Sequence, residues 1–245
     1  MPITLGDTWI EKRLSPRERG EAEAQARLRS EARLLGLLQG SAFPRLLASG
    51  EDDHGPWHRV ERVTLPTLAE RLARGPVAPA WVLGAIPAVF RAVAELHEAA
   101  DATGPLDVVH GDPSPANLAI DDTGTRVVLL DLDLASWRDG HPPIDGAFRG
   151  TLHYVAPEVA RGEPPTVRSD LFAFAATLLA ALLGRPPRDG TSFPALLLEA
   201  AERPLVLHDA PRVLAACLAH DPAGRPPSAR AVVSDRGFHA VKQVL

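Results

Sequence analysis

Cysteine is almost missing from this chain. Cys217 stands alone, which excludes an intramolecular disulfide and fits a reducing cytosol; among Leu214, Ala215, Ala216 and Leu218 it reads as a small buried residue of a helix. Lysine is nearly as scarce, since only Lys12 and Lys242 accompany 24 arginines. Where arginine is the rule, a lysine in Trp9-Ile10-Glu11-Lys12 marks a position that calls for a compact ammonium rather than a planar fork. Excess positive charge is absent as well. A net charge of -5 and a pI near 6.0 argue against a nucleic-acid binder, which needs a basic face for phosphates, and they leave a peptide or nucleotide partner open. Long hydrophobic runs are lacking: residues 171–183 fall about a third short of the roughly 20 needed to cross a bilayer, so they read as a buried core helix, and no membrane span is expected. Residues 1–7 show no basic segment followed by an apolar core, so no secretory leader is expected and the expected location is cytoplasmic. No repeat or long low-complexity segment appears, and the proline pairs at 142–143, 164–165, 186–187 and 226–227 punctuate loops. What remains is an ordinary globular composition, 45% hydrophobic and 23% charged over 245 residues, enough for one or two cores.

Periodicity organises the chain. Residues 3–13 read as one or two short strands turning at Gly6-Asp7. Residues 16–38 read as a helix, with Leu28, Ala32 and Leu35 at i, i+4 and i+7. Glu31 lies beside that apolar stripe, and a carboxylate there calls for a cationic partner because unpaired burial is costly. Strands over 43–50 and 57–63, separated by a polar turn at 51–56, complete a small sheet. Helices follow over 67–74 and 79–100, the second with Ile86, Phe90, Val93 and His97 on one side; His97 reads as a satisfied core histidine. A hairpin over 118–130 turns at Asp121-Asp122-Thr123-Gly124 and brings Asn117 and Asp131 to one end. The remainder is mainly helical.

The chemistry gathers in His110-Gly111-Asp112-Pro113-Ser114-Pro115-Ala116-Asn117, followed by Asp131-Leu132-Asp133. One carboxylate can orient an attacking hydroxyl while an amide oxygen and a second carboxylate hold magnesium against phosphates, so Asp, then Asn, then Asp is a mechanistic arrangement for phosphoryl transfer. The apolar run 127–130 delivers Asp131 at a strand end. Further along come Gly150-Thr151-Leu152-His153-Tyr154-Val155-Ala156-Pro157-Glu158, then Ser169-Asp170-Leu171-Phe172, then Asp221-Pro222-Ala223-Gly224-Arg225-Pro226.

On these motifs, in this order, the chain resembles the protein kinase family over about residues 9–231, most strongly from Asp112 onward. The resemblance implies an α+β, two-lobed fold: a reduced N-terminal lobe of small antiparallel sheet plus one helix over 1–63, and a helical C-terminal lobe over 64–245 carrying the catalytic loop and activation segment. It implies ATP and Mg2+ as cofactors. Asp112 then orients the attacking hydroxyl or accepts its proton, and Asn117 and Asp131 hold the metal. Lys12 pairs with Glu31 to position the nucleotide phosphates, and Ile10, Glu61 and Val63 join the nucleotide site, Glu61 and Val63 through main-chain atoms of a hinge. Thr151 accompanies serine/threonine specificity. His110 is structural, Glu158 and Arg225 form a buried pair, and Asp170 receives backbone amides of the catalytic loop.

Departures from the family pattern are equally specific. Gly111 stands where many kinases carry an arginine that clamps a phosphorylated activation segment. Ser114 stands where a lysine contacts the transferred phosphate. Asp133 replaces the glycine of Asp-Phe-Gly, adding a metal ligand or capping a turn. Gly6 is the sole glycine ahead of Lys12, so a glycine-rich lid is absent as written. The expected activity is ATP- and magnesium-dependent phosphotransfer to Ser or Thr of a protein substrate, with a regulatory partner and the oligomeric state left open. The missing lid and Ser114 favour the alternative of a pseudokinase-type binding or scaffolding module. A small-molecule phosphotransferase of the aminoglycoside type is the third reading, and Ala156-Pro157-Glu158 with Arg225 speaks against it.

Overall fold

The computed structural model describes residues 3–140, 149–207 and 210–234; the proline pair 142–143 and Lys242 lie outside the described residues. Four strands, β1 (Ile3–Leu5), β2 (Trp9–Arg13), β3 (Leu46–Asp52) and β4 (Gly55–Glu61), form an antiparallel sheet in the order β1-β2-β4-β3. Lys12 pairs with His58 and Ile10 with Val60, so the two-residue period of a strand puts these four on one face. Helix α1 (Ala22–Leu37) covers that face with buried Leu28, Glu31, Leu34 and Leu35. On the opposite face Glu11 is held by Arg13 and Arg59, each at 2.6 Å, and the Arg59 guanidinium lies over Trp9 and Trp57 at 4.6 and 5.4 Å from the ring centres.

Several element boundaries move from the expected ones. The helix expected from residue 16 begins at Ala22, because Ser15 and Glu18 cap each other (Ser15 N–H to Glu18 Oε2, 2.9 Å) and close a separate 3-10 turn at Glu18–Gly20. The polar stretch 51–56 is mostly strand, its turn reduced to Asp53-His54: Asp52 Oδ1 accepts the His54 N–H at 2.9 Å, and Gly55 supplies a φ of +94°. Strand β3 starts at Leu46 rather than 43, since Ala42 and Phe43 are buried and the Ala42 carbonyl accepts the Leu129 N–H at 2.8 Å from outside the sheet.

The chain leaves the sheet after Glu61 and enters α2 (Leu68–Ala73), where Thr67 and Glu70 form a capping box. Helix α3 (Pro79–His97) follows, ending short of the expected Ala100 because Ala100–Asp101 (β5) pairs with Gly104–Pro105 (β6). The hairpin of β7 (Leu118–Ile120) and β8 (Val127–Leu129) precedes α4 (Pro157–Ala160), α5 (Val167–Leu183), α6 (Phe193–Glu202), α7 (Arg212–Cys217) and α8 (Ala229–Ser234). Cys217 is buried in α7 as expected. Helix α5 is apolar nearly all round and buried along its length, the pattern of a core helix. Helix α3, with 19 residues at mean hydropathy 1.3, has the length and composition of a membrane span, which the longest apolar run did not flag; ten of its side chains, Ile86, Phe90 and Val93 among them, are buried inside the protein. Leu34 and Leu35 of α1 and Val60 of β4 join the same buried cluster as α3 and α5. The sheet and the helical part therefore share one packed interior.

Candidate active site

The loop of residues 110–117 is hung from a single carboxylate. Asp170, in the first turn of α5, accepts the N–H groups of His110 (2.6 Å) and Gly111 (3.1 Å), and the His97 ring meets the same carboxylate at 3.0 Å through Nε2, so His97 is a core histidine satisfied at one nitrogen only, its buried Nδ1 having no hydrogen-bond partner among the described residues. The fully buried His110 ring lies 3.1 Å from the Leu130 carbonyl through Nε2, takes the Asp112 N–H on Nδ1 at 3.4 Å, and meets the Phe174 ring edge-on. Gly111 has a φ of +83° and a Cβ there would lie 2.4 Å from the Leu134 carbonyl oxygen. The departure from arginine at this position is thus enforced by the backbone.

Asp112 is fixed from two sides. Its Oδ1 accepts the Thr151 N–H at 2.8 Å and its Oδ2 the Asn117 side-chain amide at 3.3 Å; the same amide donates to the Asp112 carbonyl at 3.0 Å. Burial raises the Asp112 pKa, against the lowering effect of the Thr151 hydrogen bonds. Because the nitrogen of Asn117 is spent on Asp112, its oxygen is the atom left for a cation.

The hairpin closes as its turn chemistry requires: Asp121 Oδ1 accepts the Thr125 and Arg126 N–H groups, and the Leu130 N–H donates to the Asn117 carbonyl at 2.9 Å. Asp131 therefore follows directly on the residue bonded to Asn117. It has a φ of +60°, a left-handed conformation that Asp tolerates better than most residues. Its Oδ1 lies 2.6 Å from Lys12 Nζ, and the same ammonium lies 2.7 Å from Glu31 Oε1. Glu31 Oε1 also accepts the Leu132 N–H at 3.1 Å. Burial works against the charge on Lys12, yet Glu31 and Asp131 outweigh it and raise its pKa; Asp131 is pulled down despite its own burial by Lys12. Asp133 turns toward α1, with Oδ2 at 3.5 Å from Arg27 Nε, and burial together with the Glu31 charge pushes its pKa up to about 6.

Ile10 sits on the strand face of Lys12, packed against the main core. The Glu61 N–H is engaged by the Arg45 carbonyl at 2.9 Å, so it is not free for a hinge contact, whereas no hydrogen bond among the described residues engages the backbone of Val63. Ser114 is buried at 5% exposure, its carbonyl accepting the Asn117 N–H at 3.0 Å. Farther out, Arg225 makes a two-pronged ion pair with buried Glu158 at 2.6 and 2.8 Å.

Two buried groups near this machinery escaped the reading of the sequence. His58 is 1% exposed, with Nε2 at 3.7 Å from Glu31 Oε2; burial and the Lys12 charge push its pKa down to about 4. The alternation of Trp57, His58, Arg59 and Val60 was the available signal, since it puts His58 on the face of Val60. Arg188, after the proline pair 186–187, is also 1% exposed and donates to the carbonyls of Leu152 and His153. Nothing local marks that arginine as buried.

This geometry meets independent likenesses. Residues 4–235 match the protein kinase domain. A probable serine/threonine-protein kinase of Corynebacterium efficiens is 32% identical over 174 residues, 68% of this chain and 25% of that protein. Serine/threonine-protein kinase PrkC of Bacillus subtilis is 30% identical over 168 residues, again 68% of this chain and 25% of the relative. The chain spans about a quarter of the length of these curated relatives. With the catalytic loop, the Lys12–Glu31 pair and the Glu158–Arg225 pair all in place within that match, this chain belongs to the protein kinase family.

Proposed function

We propose that this chain transfers the γ-phosphate of ATP to serine or threonine hydroxyls of protein substrates, with magnesium. The observation that carries this reading is Asp112: a half-buried carboxylate held by Thr151 and Asn117, whose raised pKa moves it toward the range in which a carboxylate takes a proton well. In this role it orients the acceptor hydroxyl and takes its proton. Asn117 and Asp131 offer one neutral and one anionic oxygen, a hard donor pair suited to magnesium, which usually takes one or two protein oxygens and fills its shell with water and phosphate. When bound, the ion neutralises charge on the phosphates. Lys12, charged at any working pH and anchored by Glu31, supplies a second positive charge on the same side. Ile10 and the backbone at Glu61 and Val63 border the nucleotide base in this reading, and Thr151 sets the acceptor beside Asp112. Ser114 leaves the transferred group without the lysine charge common at its position, so slow turnover is expected.

The test is transfer from labelled ATP, with magnesium, to a generic serine- and threonine-containing protein. Acid-stable label on serine or threonine is expected, and Asp112→Ala should lower it by about 10² to 10⁴ while an ATP-dependent thermal shift persists. Labelling that survives in Asp112→Ala would overturn the reading.

A further inference from the structure

Arg188 is a buried cation with no buried anion bonded to it among the described residues. Its Nη1 donates to the carbonyls of Leu152 at 3.3 Å and His153 at 3.1 Å, while Nε and Nη2 have no partner among the described residues. Glu199, the carboxylate that acts on it at longer range, spends Oε2 on the Gly190 N–H. Burial accordingly pulls the Arg188 pKa down to about 10. A guanidinium kept in such a place is expensive, because a charge removed from water without a matched partner is not compensated by two carbonyl dipoles. A leucine or methionine would fill the space more cheaply, so the chemistry lost with such a replacement points to what Arg188 does.

The two carbonyls lie in the segment that faces Asp112. Thr151, immediately before them, donates its N–H to Asp112 Oδ1, and Tyr154 N–H closes the turn back onto the Thr151 carbonyl at 3.0 Å. Gly111, Asp112, Gly150, Thr151, Val155 and Ala156 line one small cavity there. Arg188 is itself seated against an aromatic ring. Its guanidinium lies 5.6 Å from the Phe172 ring centre, while that of Arg225 lies 4.8 Å from the same ring. The segment is therefore held at two points around one aromatic of α5: at Glu158 by Arg225, and at residues 152–153 by Arg188.

We propose that Arg188 is a positioning residue for protein substrates: by gripping the backbone of residues 152–153 it keeps Thr151 and the adjoining cavity in register with Asp112. The proposal rests on the phosphotransfer reading. Arg188 does not line the cavity beside Asp112 and acts through the backbone it holds, so losing it should affect the peptide and spare ATP.

Arg188→Met decides the matter, since it keeps a long unbranched apolar stem and removes a charge whose replacement by an apolar group is often neutral for stability. Two measurements are made on wild type and variant: Michaelis constants for ATP and for a serine-containing peptide, and hydrogen exchange of residues 151–154. Expected in the variant are a fall of about tenfold or more in kcat/KM for the peptide, of the size that small misplacements produce, an unchanged KM for ATP, and exchange in 151–154 faster while α3 and α5 keep their protection. Unchanged exchange overturns the proposal. So does faster exchange with wild-type peptide kinetics, or an equal loss for peptide and ATP. If wild type transfers no phosphate, the functional reading fails, and the exchange arm alone still tests the grip on 152–153. Should Arg188→Met melt well below wild type, Arg188→Lys is measured instead; it keeps the charge and loses the fork, the same losses are expected in smaller size, and wild-type values there overturn the proposal.

Discussion

Lys12 Nζ lies 2.6 Å from Asp131 Oδ1, joining a strand of the small sheet to the end of a hairpin 119 residues away. Because the same ammonium lies 2.7 Å from Glu31 Oε1, one cation neutralises two carboxylates that would otherwise repel each other in a partly dry cleft. Lys12→Met should abolish phosphotransfer and lower stability at pH 7 by roughly 3 kcal/mol, the usual cost of stranding a buried partner. Glu31, already pushed upward by burial, then takes up a proton on folding, so the variant should recover stability relative to wild type as the pH falls. Transfer from labelled ATP checks the first statement, and chemical denaturation at pH 7 and pH 5 checks the two on stability.

His58 and Asp133 should pull the pH dependence of stability in opposite directions. The folded-state pKa of His58 is depressed from 6.5 to about 4, so below pH 6.5 the unfolded chain binds a proton that the folded one refuses, and stability falls as the pH drops toward 4, by on the order of 3 kcal/mol if nothing else titrates. The folded-state pKa of Asp133 is raised from 3.8 to about 6, so its contribution is present at low pH and lost as the pH rises through 6. The two nearly cancel in wild type. His58→Leu should therefore gain on wild type progressively below pH 6.5, and Asp133→Asn should gain on it as the pH rises from about 4 to about 6. Thermal melts from pH 4 to pH 7.5 measure both differences; parallel curves for wild type and His58→Leu would show that the imidazole does not titrate as its burial requires.

Gly111→Ala should be among the worst small substitutions in the chain. The new Cβ meets the Leu134 carbonyl oxygen at 2.4 Å and the φ of +83° is hostile to any L side chain, together worth about 1–3 kcal/mol or more. Gly162, at a φ of +91° with open space around it, is the control: its alanine variant should lose only about 1 kcal/mol. Urea midpoints of the two variants give the comparison.

Glu158 and Arg225 form a closed pair, both almost fully buried. Removing either charge should cost about 3–5 kcal/mol, whereas Glu158→Met with Arg225→Met should recover a large part of that loss because no charge is then stranded. A double-mutant cycle in denaturant measures the coupling. Additive single losses would mean that the pair acts through packing on Phe172 rather than through its charges.

Much of the site was legible because its contacts are local. Asn117 reaches Asp112 across five residues, and the Asp121–Gly124 turn brings Leu130 to Asn117; spacing alone specifies such bonds, since the chain has little freedom over so few residues. Strand ends were less legible. Asp52 and Gly55 tighten the turn to two residues, and a polar composition does not say whether an exposed hairpin tip remains paired.

By itself, the amino-acid sequence determined the order of the main elements, the loop carrying Asp112 and Asn117, and the family, all of which rest on side-chain type at fixed spacing. Tertiary structure alone decided that Lys12 serves Asp131 as well as Glu31, that Asp133 turns to Arg27, that His58 lies buried beside Glu31, and that Arg188 closes on the carbonyls of Leu152 and His153. The physical reason is range. Burial and charge neutralisation depend on which distant surfaces meet and how much water they exclude, and a guanidinium in a loop carries no local mark of whether it will face solvent or the backbone of another segment.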